Sequence, residues 1–96
     1  MPMSKDFENR LLPRLDDIAT HFGTPFHIYD EAGIKQTGNH LKQVFSEIEG
    51  FREYYAVKAL PNPGVLGIMQ SLSFGYDCSS TAELILSREA GGHGED

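Results

Sequence analysis

Tyr54-Tyr55-Ala56-Val57-Lys58-Ala59 is the stretch on which the reading of the chain turns. It is an apolar, strand-forming run with one misfit, the lysine. Strand side chains alternate, so Tyr54, Ala56 and Lys58 share one face and Tyr55, Val57 and Ala59 the other. An ammonium is costly to bury without a partner. Pro61 and Pro63 follow at once and cannot donate to a ladder. The strand is therefore expected to end just past Lys58, with the lysine at its C-terminal lip. In α/β folds that lip is where ligands bind. A lysine reaching out to water at a strand end has the same local signature.

Working outward from this strand, helical and extended patterns alternate. On the N-terminal side, Met1 to Arg10 is polar and reads as loose. Leu11, Leu15, Ile18 and Phe22 then recur at helical spacing. Pro13 suits a first turn, and Gly23 is a natural stop. Thr24 to Tyr29 reads as a short strand, alternating Phe26 and Ile28 against His27 and Tyr29. Asp30 caps the next expected helix, whose stripe is Ile34, Leu41, Val44, Phe45 and Ile48 and whose end is Gly50. Gly33 and Gly38 weaken that helix, each by about 1 kcal/mol relative to alanine.

On the C-terminal side, Asn62-Pro63 is a helix start, cap followed by first-turn proline. Val65, Ile68, Met69 and Leu72 form its apolar stripe. Phe74 to Cys78 reads as a second strand. Ser80-Thr81-Ala82-Glu83 matches a capping box. It opens a helix carrying Leu84, Ile85 and Leu86, which stops at Gly91-Gly92. Strands alternating with helices predict a parallel sheet or barrel with helices outside.

The bulk numbers narrow the function classes. The chain has 96 residues and 40% hydrophobic content, as a soluble globular protein would. A net charge of −6 without a basic cluster argues against nucleic acid as a partner. No apolar run reaches membrane-spanning length, and the N-terminus lacks a signal-peptide core. A cytoplasmic protein is expected. One cysteine, Cys78, rules out an internal disulfide and a cysteine-based metal cluster, and reads as a small packing residue. The histidines show no metal-ligand spacing, so no metal is expected.

Tyr55-Ala56-Val57-Lys58-Ala59, followed across a helix by Gly75-Tyr76-Asp77-Cys78-Ser79-Ser80-Thr81-Ala82-Glu83-Leu84, resembles the pyridoxal-phosphate-dependent decarboxylases with an alanine-racemase-like barrel. These include diaminopimelate, ornithine, arginine and carboxynorspermidine decarboxylases. Thr24 to Asp30 is similar to the opening segment of the diaminopimelate branch. The resemblance covers residues 24–92. The chain departs from the family pattern where Leu60-Pro61 precedes Asn62.

The resemblance implies the N-terminal portion of a (β/α)₈ barrel that binds pyridoxal 5'-phosphate, incomplete here, since a whole barrel takes about 250 residues. It implies a helical segment over 1–23 and the start of the barrel domain over 24–96. The lysine matching Lys58 is the catalytic residue that bonds the cofactor. Asp77 and Glu83 match acidic residues on the cofactor side of the pocket. For Glu83 the capping box is an equally good explanation, and for Asp77 the end of a strand is the competing one.

The implied reaction is decarboxylation of an amino acid, diaminopimelate first, in a homodimer with shared active sites. Ornithine, arginine or carboxynorspermidine are alternative substrates. A non-catalytic cofactor-binding relative is a second reading, and an inactive truncated product a third. The stacking histidine, phosphate loop and substrate-selecting residues are expected later in such a chain. The 96-residue piece alone is therefore expected to be inactive and, with unpaired strand edges, marginally stable.

Overall fold

A serine hydroxyl starts the first helix. The computed structural model describes residues 3–94, so the reading of a loose Met1–Arg10 is tested only beyond Pro2. There it is corrected: Lys5–Leu11 is a helix, α1, with the Ser4 hydroxyl accepting from the Phe7 amide at 3.1 Å. Side-chain pairs one turn apart, Lys5–Glu8 and Asp6–Arg10, support it. Pro13 then interrupts the ladder, because it has no N–H to donate. Leu12–Arg14 tightens into a 3₁₀ turn, and the second helix, α2, runs Leu15–Phe22. Gly23 ends it at φ 78°, in the left-handed region that favours glycine.

Thr24 to Tyr29 forms no strand, contrary to the alternation in its sequence. A strand is defined by its ladder, and no described segment pairs with this one. Asp30 does cap the helix that follows. Its carboxylate accepts from the amides of Ala32 and Gly33 and takes a 2.7 Å ion pair from Arg10. That guanidinium, helped by the two amides, holds the carboxyl below its ordinary range against the upward push of burial. The chain falls into two units, one up to Gly33 and the other from Ile34.

Helix α3, Glu31–Val44, is shorter than the apolar stripe suggests. After Val44 the amides of Ser46 and Ile48 turn to carbonyls three residues back, and the Ser46 hydroxyl takes the Gln43 carbonyl. A side chain competing for backbone in this way disfavours further α-helix. Val44 and Ile48 are exposed rather than buried, while Phe45 stacks on Phe51. Gly38 earns its place in this helix. A Cβ there would lie 2.5 Å from Leu72 Cδ1, so the glycine lets that leucine close against the helix.

The centre of the second unit is a strand–helix–strand. Strand β1, Tyr54–Ala56, pairs parallel with β2, Gly75–Asp77, in the register Tyr54↔Gly75, Tyr55↔Tyr76 and Ala56↔Asp77. Helix α4, Pro63–Ser71, joins them, and α5, Thr81–Glu89, follows. The core is Val57, Leu66 and Tyr76, with Tyr55, Met69, Cys78 and Leu86 packed around it. Val57 and Leu66 are both 0% exposed. Burying one such side chain contributes about 1.5–3 kcal/mol. The predicted stripe of α4 missed Leu66, which the fold makes its central anchor. Leu84 and Ile85 of α5, at 61% and 50%, stay largely outside.

Candidate functional site

The strand carrying the lysine is shorter than expected. Beyond Ala56, Val57–Ala59 forms a 3₁₀ turn, so Lys58 sits in the turn just past β1 and not on the strand itself. The physical reason is visible on both sides. Ala56 pairs with Asp77, the last residue of β2, so the ladder has no partner for Val57. Val57 drops instead into the core, and its carbonyl accepts from the Leu60 amide at 3.2 Å. The Tyr55 hydroxyl reaches forward to the Leu60 carbonyl at 3.2 Å and ties off the turn. Asn62 then caps α4, accepting from Val65 at 3.1 Å. The turn is thus clamped from before and after, and Lys58 is its exposed apex.

Asp77 and Lys58 lie at the same C-terminal edge of the parallel pair. Asp77 is exposed, and among the described residues no hydrogen bond or ion pair joins it to Lys58 or Glu83. Glu83 is more closely engaged. The turn bearing Lys58 packs against α5, and the positive charge of Lys58 acts on the Glu83 carboxylate.

Glu83 forms half of the capping box that its sequence predicts, its carboxylate taking serine hydroxyls in place of the Ser80 backbone N–H. Its amide donates to the Ser80 hydroxyl at 3.2 Å, and that hydroxyl donates to Glu83 Oε2 at 2.9 Å. A second hydroxyl, from Ser79, reaches the same oxygen at 2.8 Å. The Ser79 hydroxyl first, then that of Ser80, holds the Glu83 carboxyl below its ordinary range against burial, with smaller contributions from the Ser79 backbone amide and, last, from Lys58. Oε1 of the same carboxylate is buried without a hydrogen-bond partner. Of the two carboxylate oxygens, Oε1 is the one without a side-chain donor among the described residues.

Sequence reasoning missed Ser79 and the hydroxyl of Tyr55. The signal for Ser79 was its place directly before a capping box. A groove of about 310 Å³ beside β2 and α5 is lined by Tyr76, Cys78, Leu84, Ser87 and His93 among others, and excludes Lys58, Asp77 and Glu83.

Residues 31–96 match the family model described as pyridoxal-dependent decarboxylase, pyridoxal binding domain. The chain belongs to the pyridoxal-dependent decarboxylases. Among curated members, Protein TabA of Pseudomonas amygdali pv. tabaci is 46% identical over 100% of this chain and 23% of its own length. Diaminopimelate decarboxylase of Deinococcus radiodurans is 33% identical over 84% of this chain and 21% of its own. That of Bacteroides thetaiotaomicron is 35% identical over 71% and 18%. The chain therefore spans less than a quarter of the length of these relatives. No solved structure matches it.

The family's domain is a pyridoxal-binding one, and the residues here suit that cofactor. An aldehyde needs an accessible primary amine, and Lys58 offers one on an exposed turn tied off by the Tyr55 hydroxyl. A carboxylate with an uncommitted oxygen stands within reach of its charge. Among the described residues no helix is long and apolar enough to cross a membrane.

Proposed function

We propose that this chain is the cofactor-lysine portion of a pyridoxal-phosphate-dependent amino-acid decarboxylase, at the start of a (β/α)₈ barrel, and that the whole enzyme converts diaminopimelate to L-lysine and CO₂ as a homodimer with shared active sites. The observation that carries the reading is the placement of Lys58. It is the exposed apex of a turn tied off by the Tyr55 hydroxyl at the C-terminal end of a parallel strand pair, and that turn packs against α5, the helix that carries Glu83.

When bound, the cofactor supplies an electron sink for the pair left by the departing carboxylate. Lys58 would hold the group covalently through its side-chain amine, which is nucleophilic only in the neutral form. Glu83, whose ionised form its serines favour, places a negative charge on the helix against which the Lys58 turn packs, and leaves Oε1 without a side-chain donor among the described residues. Asp77, exposed at the same edge, is the second carboxylate available to the cofactor side.

The substrate rests on relatives named diaminopimelate decarboxylase, 33% and 35% identical. The name of Protein TabA states no substrate, so the test compares several. In the full-length protein, Lys58→Ala is expected to abolish CO₂ release and the visible absorbance of the bound cofactor, with circular dichroism unchanged. Near-normal CO₂ release from that variant would overturn the role of Lys58. Faster release from ornithine, arginine or carboxynorspermidine than from diaminopimelate would overturn the substrate.

A further inference from the structure

Helix α5 is capped by more than a cap requires. Ser80 alone satisfies the capping geometry: its hydroxyl accepts from the Glu83 amide and donates to the Glu83 side chain. The Ser79 hydroxyl lies outside that exchange and is spent on the same carboxylate oxygen, at 2.8 Å. The consequence is a lopsided carboxylate. Oε2 accepts two hydroxyl donors, while Oε1 is buried with none. A cap that served only the helix would have no use for this asymmetry, because neither the second hydroxyl nor the buried oxygen contacts an α5 amide.

We propose that Ser79 is a positioning residue: it pins Oε2 of Glu83 so that the carboxylate keeps one orientation, with Oε1 uncommitted and its charge presented to Lys58. The inference rests on the reading of Lys58 as the cofactor lysine and deepens it. Two donors on one oxygen also favour the ionised form, because hydrogen bonds to a carboxylate stabilise the anion. Lys58, on the turn packed against α5, is the charged group whose field reaches this carboxylate. Ser79 acts through Glu83 and touches neither the lysine nor a reacting atom. It keeps the lysine's counter-charge in place down to a lower pH than an ordinary glutamate would.

The experiment follows ¹³C signals from the Glu83 carboxyl and the Lys58 ε-carbon through an acid titration of the full-length protein without cofactor. In the wild type, both signals are expected to inflect together, below the ordinary carboxylate range. In Ser79→Ala the Glu83 inflection moves up towards the ordinary value and the Lys58 response shrinks severalfold, while the amides of α5 keep their exchange protection. Ser79→Thr, which retains a hydroxyl, restores both signals. Ser80→Ala instead loses amide protection at the start of α5, separating capping from positioning.

Reductive trapping with pyridoxal phosphate and borohydride, mapped by mass spectrometry, runs alongside. Unselective labelling of the wild type overturns the reading of Lys58, and with it the purpose given to Ser79. Selective labelling of Lys58, combined with a Glu83 inflection that Ser79→Ala leaves unmoved, overturns the role of Ser79 alone.

Discussion

Helices α4 and α5 are built to the same plan and used differently. Each has 9 residues, and each is entered through a side-chain cap, Asn62 in one and Ser80 in the other. Each leaves through the same paired hydrogen bonds. In α4 the Ser73 amide donates to the Gln70 carbonyl and the Phe74 amide to that of Met69. In α5 the Gly91 amide donates to Arg88 and the Gly92 amide to Ser87. Both are Schellman endings, with the left-handed residue at φ 61° for Ser73 and φ 104° for Gly91. The difference lies in what each helix does with its sides and its start. Helix α4 buries Val65 and Leu66 and has no acid in its first turn. Helix α5 leaves Leu84 and Ile85 outside and gathers Ser79, Ser80 and Glu83 at its N-terminus, beside Lys58. One helix holds the unit together, and the other gathers polar groups at its start on an equally well-finished backbone.

The largest expected effect separates the two sides. Leu66→Ala empties the centre of the core and should cost about 2–5 kcal/mol. Leu84→Ala on α5 should stay within about 0.5 kcal/mol. Urea unfolding of the two variants measures both, and equal losses would break the contrast between anchor and carrier.

The caps should prove alike. Asn62→Ala and Ser80→Ala should each cost about 1 kcal/mol. Amide exchange should show the loss confined to the first turn of the helix concerned. Ser80→Ala should also disturb Glu83, for which α4 has no counterpart in its first turn.

The endings offer a smaller and opposite pair. A side chain in the left-handed region carries a backbone penalty that glycine escapes. Ser73→Gly should therefore stabilise, and Gly91→Ser destabilise, by up to about 1 kcal/mol each. Thermal unfolding gives the signs, and a destabilising Ser73→Gly would mean that the serine contributes more than its backbone.

The last effect is one of pH. Glu83 has a folded pKa depressed by Ser79 and Ser80, so its contribution is fully present above the unfolded glutamate value of about 4.3. It is lost as pH falls through the depressed folded value. Exchange protection at the start of α5 should fade across that acidic window, while the start of α4, capped by the neutral Asn62, should hold. Parallel fading of both would remove the distinction between the caps.

What the sequence by itself determined is local. Asn62-Pro63 and the Ser80–Glu83 box marked two helix starts, because a cap is made by residues within one turn of each other. Asp30 and Gly23 were legible for the same reason. The strand pair was legible from apolar runs bounded by prolines and a cap, and the decarboxylase family from motifs that run through those strands into the turn and the helix that follow them.

Tertiary structure decided the rest. Phe26 to Tyr29 alternates like a strand yet stays unpaired, since alternation cannot supply a ladder partner. The α1 helix is an exception: it is held by local contacts, the Ser4 cap and ion pairs one turn apart, but lies in a polar stretch with no apolar stripe to mark it. Helix α3 stopped at Val44, before its apolar stripe ran out. Lys58 moved from strand to turn because β2 ended at Asp77, a fact that sits in another segment. Leu66 became the anchor only once β1, β2 and α4 closed around it. The approach of Glu83 to the charge of Lys58 depends on two segments meeting at one sheet edge. Hydrogen bonds and caps are short-range and can be read in order along the chain; ladders, cores and charge pairs join residues far apart in it, and only the fold assigns those partners.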